Sequence, residues 1–263
     1  MVSVVIPTYN DDIRLNLVLW GLTRQTNRDF EVIVVNDGGN DDTKILVDTY
    51  SNAINISYAY LGPASEEYRP SKARNLGIKN SNYDRIVFID CDVIPLDNLI
   101  STHSSKVTDD VIIVGVRSRI KPPRIKILTD LLERKKLNYN HVKHHVYVND
   151  ERLREERLSK SFLALTMADR MTWDYHTLIE HACLCSSANI SYSKNVLLSL
   201  KGFNEDFTDI LHGEDHDLAI RALKAGCGVL TKPESVVYHL DHEPRAKHNY
   251  PKMLELLSRA RNS

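Results

Sequence analysis

Ile86-Val87-Phe88-Ile89-Asp90-Cys91-Asp92 is the stretch that decides the fold. An apolar, β-branched and aromatic run without a polar break is the signature of a strand buried on both faces of a parallel sheet. Two carboxylates at the end of such a strand are costly unless a cation meets them. In open α/β sheets the carboxyl ends of strands are also where ligands sit. The economical reading is a divalent metal carrying a phosphorylated ligand, held by Asp90 and Asp92 through oxygen ligation. The plain alternative is a strand-end aspartate that caps the next turn, with a solvated neighbour.

Working outward, strands alternate with helices. Val2-Ser3-Val4-Val5-Ile6 is a buried strand stopped by Pro7. Asp11 to Gln25 carries Ile13, Leu15, Leu17, Val18 and Leu22, an imperfect helical stripe with Asp11 or Asp12 as N-cap. Phe30 to Val35 is a second strand, ending in Asn36-Asp37-Gly38-Gly39. Asp42–Tyr50 and Ser71–Asn80 read as helices around a third strand, Ile54–Tyr60. This β-α-β-α-β-α-β order implies an α/β fold with right-handed crossovers and a parallel sheet. Further on, Ser187–Tyr192 and Ser235–Tyr238 read as strands and Lys194–Leu200 as a helix. Another helix, opened by Gly213-Glu214-Asp215-His216-Asp217, closes at Gly226.

A chain of 263 residues buries a substantial core. A net charge of −1 argues against nucleic acid as a partner. The chain opens directly on a strand, without a basic leader, and no apolar run reaches the roughly 20 residues that span a bilayer. Cys91, Cys183, Cys185 and Cys227 have no metal-binding spacing. They read as reduced packing residues of a cytoplasmic protein.

The middle of the chain is basic. Residues 117–160 hold 13 lysines and arginines against 6 acids, a net of +7. Such a run is commonly a solvated helical face, and a helical pattern lies near Ile127–Leu137. The functional alternative is an acceptor-side patch or peripheral contact with an anionic membrane surface. His141 and His145 are four apart but lack a carboxylate in register, so they read as surface histidines.

Glu214, Asp215 and Asp217 exceed what capping a helix needs. Close carboxylates raise one another's pKa, which poises a general base, so Asp215 or Glu214 is the catalytic candidate. His239, directly after a strand, could complete a metal site with Asp92, and His242 is the near alternative.

These motifs together resemble the family 2 glycosyltransferases of the GT-A fold, with a C-terminal part similar to the galactosyltransferase-type segment. The resemblance is carried by Val4 to Asn10, Glu31 to Gly39, Arg69 through Ala73-Arg74-Asn75-Leu76-Gly77-Ile78, Phe88 to Asp92, Gly202 to Phe207 and Gly213 to Leu218. It implies a Rossmann-like, mostly parallel central sheet flanked by helices, with a helical acceptor-side insertion. One continuous domain would comprise a nucleotide-sugar-binding half (1–95), a helical basic insertion (96–182) and an acceptor-binding, catalytic half (183–263).

The resemblance also implies roles by position. Pro7, Thr8 and Tyr9 would line the nucleoside pocket, and Asp37 would accept the uracil N3–H. Arg74, with Lys72 or Arg69, would face the pyrophosphate. Asp90 would touch ribose or metal, while Asp92 and His239 would ligate Mn²⁺ or Mg²⁺. The residue at Asp215 would deprotonate an acceptor hydroxyl, so that a UDP-α-sugar gives a β-linkage to a glycan or lipid-linked acceptor. Many galactosyltransferase-type members carry Trp-Gly-Gly where this chain has Leu211-His212-Gly213. That departure leaves the sugar open, with Trp173 as a candidate stacking platform or a core residue.

Two other readings compete. A sugar-1-phosphate nucleotidyltransferase would show a glycine-rich basic loop after the first strand, where this chain has Thr8-Tyr9-Asn10-Asp11-Asp12. A catalytically inactive nucleotide-sugar-binding module would have lost Asp92 or Asp215, and both are present.

Overall fold

The computed structural model describes residues 1–40, 42–63, 68–144, 185–208, 210, 213–243 and 249–262. Cys183, His145, Trp173 and the Leu211-His212 departure lie outside the described residues. The first four strands are β1 (Val2–Thr8), β2 (Phe30–Asn36), β3 (Ile56–Tyr60) and β4 (Arg85–Phe88). Between them run α1 (Asp12–Leu22), α2 (Asp42–Tyr50) and α3 (Pro70–Asn80). β1 pairs in parallel with β2 and β4, and β2 with β3, as the alternating order requires. Flanked on both sides, β1 and β2 are apolar along their lengths for the same reason.

The rest of the sheet is mixed. β5 (Val93–Pro95) and β6 (Val111–Ile120) precede β7 (Ile190–Ser193) and β8 (Gly228–Leu240). The order across the sheet is β3-β2-β1-β4-β7-β6-β8-β5. β7 is antiparallel to both neighbours, β5 is antiparallel to β8, and β6 is parallel to β8. The sequence reading assigns no strand between Ile89 and Ser187 and treats 96–182 as a helical insertion. Instead β6 is an interior strand, so the sheet draws on all three stretches of the chain. The last strand is also longer than Ser235–Tyr238, because β8 follows β6 through a register shift between Val114 and Val116.

Helices cover both faces. α1 buries Leu15, Leu17, Val18, Leu19, Trp20 and Leu22, a wider band than one stripe, while Ile13 is exposed. The band is wide because α1 is covered on two sides. Beyond it lie α4 (Leu99–His103), α5 (Pro122–Glu133) and α6 (Tyr139–His144). Leu128, Leu137 and Val142 of the basic segment pack with Leu17 and Trp20. The Trp20 and Tyr139 rings meet edge-on at 5.2 Å. The basic segment therefore has an apolar underside, and its charges occupy the outer face. Asp11 begins α1 without a side-chain cap; its carboxylate accepts from Arg14 Nε at 2.9 Å instead.

On the other face sit α3, α7 (Lys194–Ser199), α8 (Glu214–Lys224) and α9 (Tyr250–Asn262). Phe88 of β4 meets Tyr192 and Phe203 edge-to-face, at 6.5 and 5.1 Å, each such pair adding about 1 kcal/mol beyond its burial. α3 approaches β1 so closely that a Cβ on Gly77 would fall within the Val5 side chain. Gly77→Ala is accordingly expected to lose about 1–3 kcal/mol by overpacking, read as a lower urea midpoint. An unchanged midpoint would show that the α3–β1 contact yields freely.

Candidate active site

The strand ends and loops enclose a cleft of about 490 Å³ at the carboxyl edge of the parallel strands. Pro7, Thr8 and Tyr9 enter from the end of β1, Asp37 from beyond β2, and Asp90 and Asp92 from beyond β4. Glu214 and Asp215 enter from the first turn of α8, and His239 and His242 from the end of β8 and the residues after it. The cleft thus gathers most of the residues singled out in the sequence. Arg69 and Lys72 do not line it. Arg69 turns to Asp37, donating from Nε at 2.9 Å, and Lys72 borders a separate cavity with Glu205 and Asp206.

Arg74 is the structural key of the floor. Its guanidinium is buried and donates to Glu214 Oε1 at 2.8 Å and to Asp90 Oδ1 at 2.9 Å. Its burial opposes ionisation, but Asp90 and Glu214 outweigh that and hold it charged. Glu214 is 6% exposed, tied to Arg74, and does not face the solvent as Asp215 does. Burial, reinforced by the Asp215 charge, pushes its carboxyl up to about 7 despite Arg74. Two carboxyls share one buried guanidinium and the charge of a third, Asp215, acts on them, so a retained proton is the physical expectation.

The sign of the consequence follows. Between the ordinary carboxylate value of 4.5 and about 7, folded Glu214 binds more protons than the unfolded chain does. Its contribution is therefore fully present below pH 4.5 and is lost as pH rises through 7. Glu214→Gln is expected to flatten stability across that window in denaturant titrations. An unaltered slope would assign the proton elsewhere.

Asp215 is half-buried at the cleft wall. Its Oδ2 accepts from the Ser187 N–H at 3.3 Å and its Oδ1 from the His216 N–H at 2.9 Å. The preceding Gly213 has φ +126°, and a Cβ there would meet Phe207 and Met253 at 2.7 and 2.9 Å. That backbone conformation aims the first turn of α8 into the cleft. Asp217, by contrast, pairs with Arg221 at 2.6 Å and does not line the cleft.

Opposite stands Asp92 with both histidines. His242 Nε2 lies 2.7 Å and His239 Nε2 3.6 Å from Asp92 Oδ2. Both histidines of the His239-or-His242 alternative stand here, and their potential ligand atoms lie with that of Asp92 within 4.8 Å of one another. Asp90 is outside this group and faces Arg74.

The chemistry of the three fits a divalent cation. Asp92 Oδ1 is buried without a hydrogen-bond partner. His239 Nδ1 donates to the Asp241 carboxylate at 2.8 Å, which leaves Nε2 its lone pair when the ring is neutral. His242 Nδ1 donates to the Glu243 carbonyl at 2.6 Å and orients that ring in the same way. Outer hydrogen bonds of this kind fix a ligating tautomer. With both nitrogens of His242 facing acceptors, its pKa is raised, chiefly by the hydrogen bond to Asp92. Asp92 is held low by that bond and the imidazole charges, against its burial.

Sequence reasoning missed several cleft residues, among them Tyr68, Ser187, Asp241 and the pair Arg117 and Arg119. The legible signal for the last two was Arg117-Ser118-Arg119, a two-residue alternation that on a strand puts both arginines on one face. Cys91, Cys185 and Cys227 are buried. Among the described residues no helix is long and apolar enough to cross a membrane.

Comparison with known proteins gives the family and the fold. The chain is 27% identical to chondroitin synthase of Escherichia coli over 259 residues, covering 94% of this chain but 35% of that protein. It therefore spans about a third of that relative. The structure of S. aureus TarS 1-349 in complex with UDP-GlcNAc superposes with a TM-score of 0.64 at 17% identity, covering 98% of this chain and 65% of that one. The mannosyltransferase PcManGT from Pyrobaculum calidifontis, in complex with GDP-Man and Mn²⁺, gives 0.60 at 15% identity over 100% of this chain and 64% of that one. These are GT-A glycosyltransferases, and this chain has their curled sheet with flanking helices. Residues 3–163 match the description Glycosyl transferase family 2, more than half of the chain, and on that match the chain belongs to glycosyl transferase family 2.

Proposed function

We propose that this chain is a metal-dependent, inverting glycosyltransferase that moves a hexose or N-acetylhexosamine from a UDP-sugar to a hydroxyl of a glycan or lipid-linked acceptor. The observation that carries the reading is one cleft holding the Asp92–His239–His242 group on one wall and Asp215 on another. UDP-GlcNAc in the TarS complex supports a uridine donor, and GDP-Man in PcManGT marks the competing nucleotide.

In this reading Asp37, oriented by Arg69, accepts the uracil N3–H. Burial raises its pKa despite Arg69, so the Arg69 contact is what keeps an acceptor oxygen available there. Pro7, Thr8 and Tyr9 line the nucleoside pocket, and the buried Thr8 Oγ1, without a hydrogen-bond partner, is free to meet it. Arg74 holds Asp90 and Glu214 in place from beneath, and Asp90 faces the ribose. Asp92, His239 and His242 would hold Mn²⁺ or Mg²⁺, which when bound neutralises charge on the departing diphosphate. Asp215 takes the proton of the acceptor hydroxyl. The oxygen then bonds to the anomeric carbon as the carbon–oxygen bond to the diphosphate breaks, its electron pair leaving with UDP.

The test is a panel of nucleotide-sugars with Mn²⁺, scored by release of nucleoside diphosphate. Turnover with UDP-sugars is expected. Turnover confined to GDP-sugars would overturn the donor assignment, and release of pyrophosphate from a nucleoside triphosphate would overturn the reaction.

A further inference from the structure

We infer that Arg117 and Arg119 read a negative charge on the acceptor, so that the substrate glycan carries a carboxylate or phosphate near the hydroxyl that is extended. The inference rests on the transferase reading above and names the class of its second substrate.

Both arginines lie on the C-terminal half of β6, where exposure alternates: Val116, Ser118 and Ile120 are buried and the arginines face outward into the cleft. Their face is set by the register break between Val114 and Val116. Buried Asn189 bridges that break, donating through Nδ2 to Val116 O at 3.2 Å and Ser235 O at 2.9 Å. β6 is interior, so these are not edge charges placed to prevent strand pairing.

Their position lies between the two chemical walls. Arg119 is in register with His239 on β8, while β7 (Ile190–Ser193), on the other flank of β6, begins three residues after Ser187, the donor to Asp215. β8 separates β6 from β5, which begins next to Asp92. A group standing over β6 is therefore flanked by the base and the metal ligands, where the acceptor has to be.

Charge accounting leaves these two unmatched. Arg74 is already committed to Asp90 and Glu214. Arg119 reaches Asp241 only at 3.8 Å with its side chain 54% exposed, a weak contact in water. Among the described residues Arg117 has no ion pair. A neutral acceptor closing over them would strip water from two guanidinium groups and return nothing, whereas a carboxylate or phosphate matches their fork geometry. The same sign continues outward: residues 117–136 carry eight lysines and arginines against two acids, and Lys126 and Arg134 to Lys136 are exposed. A glycan with repeated acidic groups could follow that track out of the cleft.

The experiment compares an oligosaccharide ending in a uronate with its carboxyl-reduced counterpart. Arg117→Ala and Arg119→Ala together are expected to raise KM for the acidic acceptor about tenfold or more while leaving the reduced one nearly unchanged. Lysine at both positions should recover part of the loss, since it keeps the charge without the fork. UDP affinity in Mn²⁺, read by calorimetry, is expected to change less than about twofold. Equal loss on both acceptors would overturn the inference, as would a tenfold fall in UDP affinity, which would give the pair to the donor diphosphate. An effect confined to binding of phosphatidylglycerol vesicles would also overturn it, in favour of a membrane surface. The two readings fail separately. A wild-type protein that binds the acidic sugar without extending it keeps the anion site and loses the transferase, and equal transfer to both acceptors does the reverse.

Discussion

Asp215→Asn is expected to reduce sugar transfer by about a thousandfold, within the range a general base supplies, while UDP and Mn²⁺ still bind. The amide fills the same space and its carbonyl still accepts from the Ser187 N–H, so the start of α8 is preserved. What it loses is the ability to take the acceptor proton. Its neighbours are no substitute. Glu214 is buried against Arg74 and Asp217 is paired with Arg221 outside the cleft. The measurement is kcat with the best donor beside calorimetric UDP affinity in the same variant. Transfer within tenfold of wild type would remove Asp215 from the role of base.

Asp92→Ala is expected to weaken Mn²⁺ binding by about a hundredfold or more and to abolish metal-dependent UDP binding, since the one carboxylate among the three ligands is lost. Asp241→Asn, one shell out, is expected to cost about tenfold, because Asp241 holds the His239 ring through Nδ1. The graded pair separates ligation from folding: both variants should keep the wild-type melting profile when no metal is present. Manganese titration by calorimetry reads both. Unchanged Mn²⁺ affinity in Asp92→Ala would displace the site from these residues, and EDTA-insensitive turnover would remove the metal from the reaction.

Strands β1, β2 and β4 were legible because they are buried on both faces, and apolar runs such as Val32 to Val35 have few other interpretations. The acidic ends of those runs were legible for the converse reason, as charges where burial forbids them without a partner. β6 was harder to see. Its run is broken by Gly115 and passes into Arg117-Ser118-Arg119, so half of it reads as the start of the basic segment. Arg69 could not be assigned from the sequence to the phosphates or to an acid, because a cation near a phosphate motif is ambiguous until its acid is known, here Asp37. His239 and His242 could not be separated by spacing because the turn after β8 brings both rings to Asp92, 5.8 Å apart and stacked.

The buried guanidinium of Arg74 has one further consequence. It clamps the end of β4 to the start of α8, two segments far apart in the chain, through Nη2 to Asp90 and Nη1 to Glu214 of a single side chain. The bottom of the cavity thus behaves as one rigid piece, intolerant of piecemeal change. Divergence toward a new sugar or a new recipient must then be confined to the brim, at positions such as Ser186 and Arg117, which can be exchanged without loosening the base beneath them.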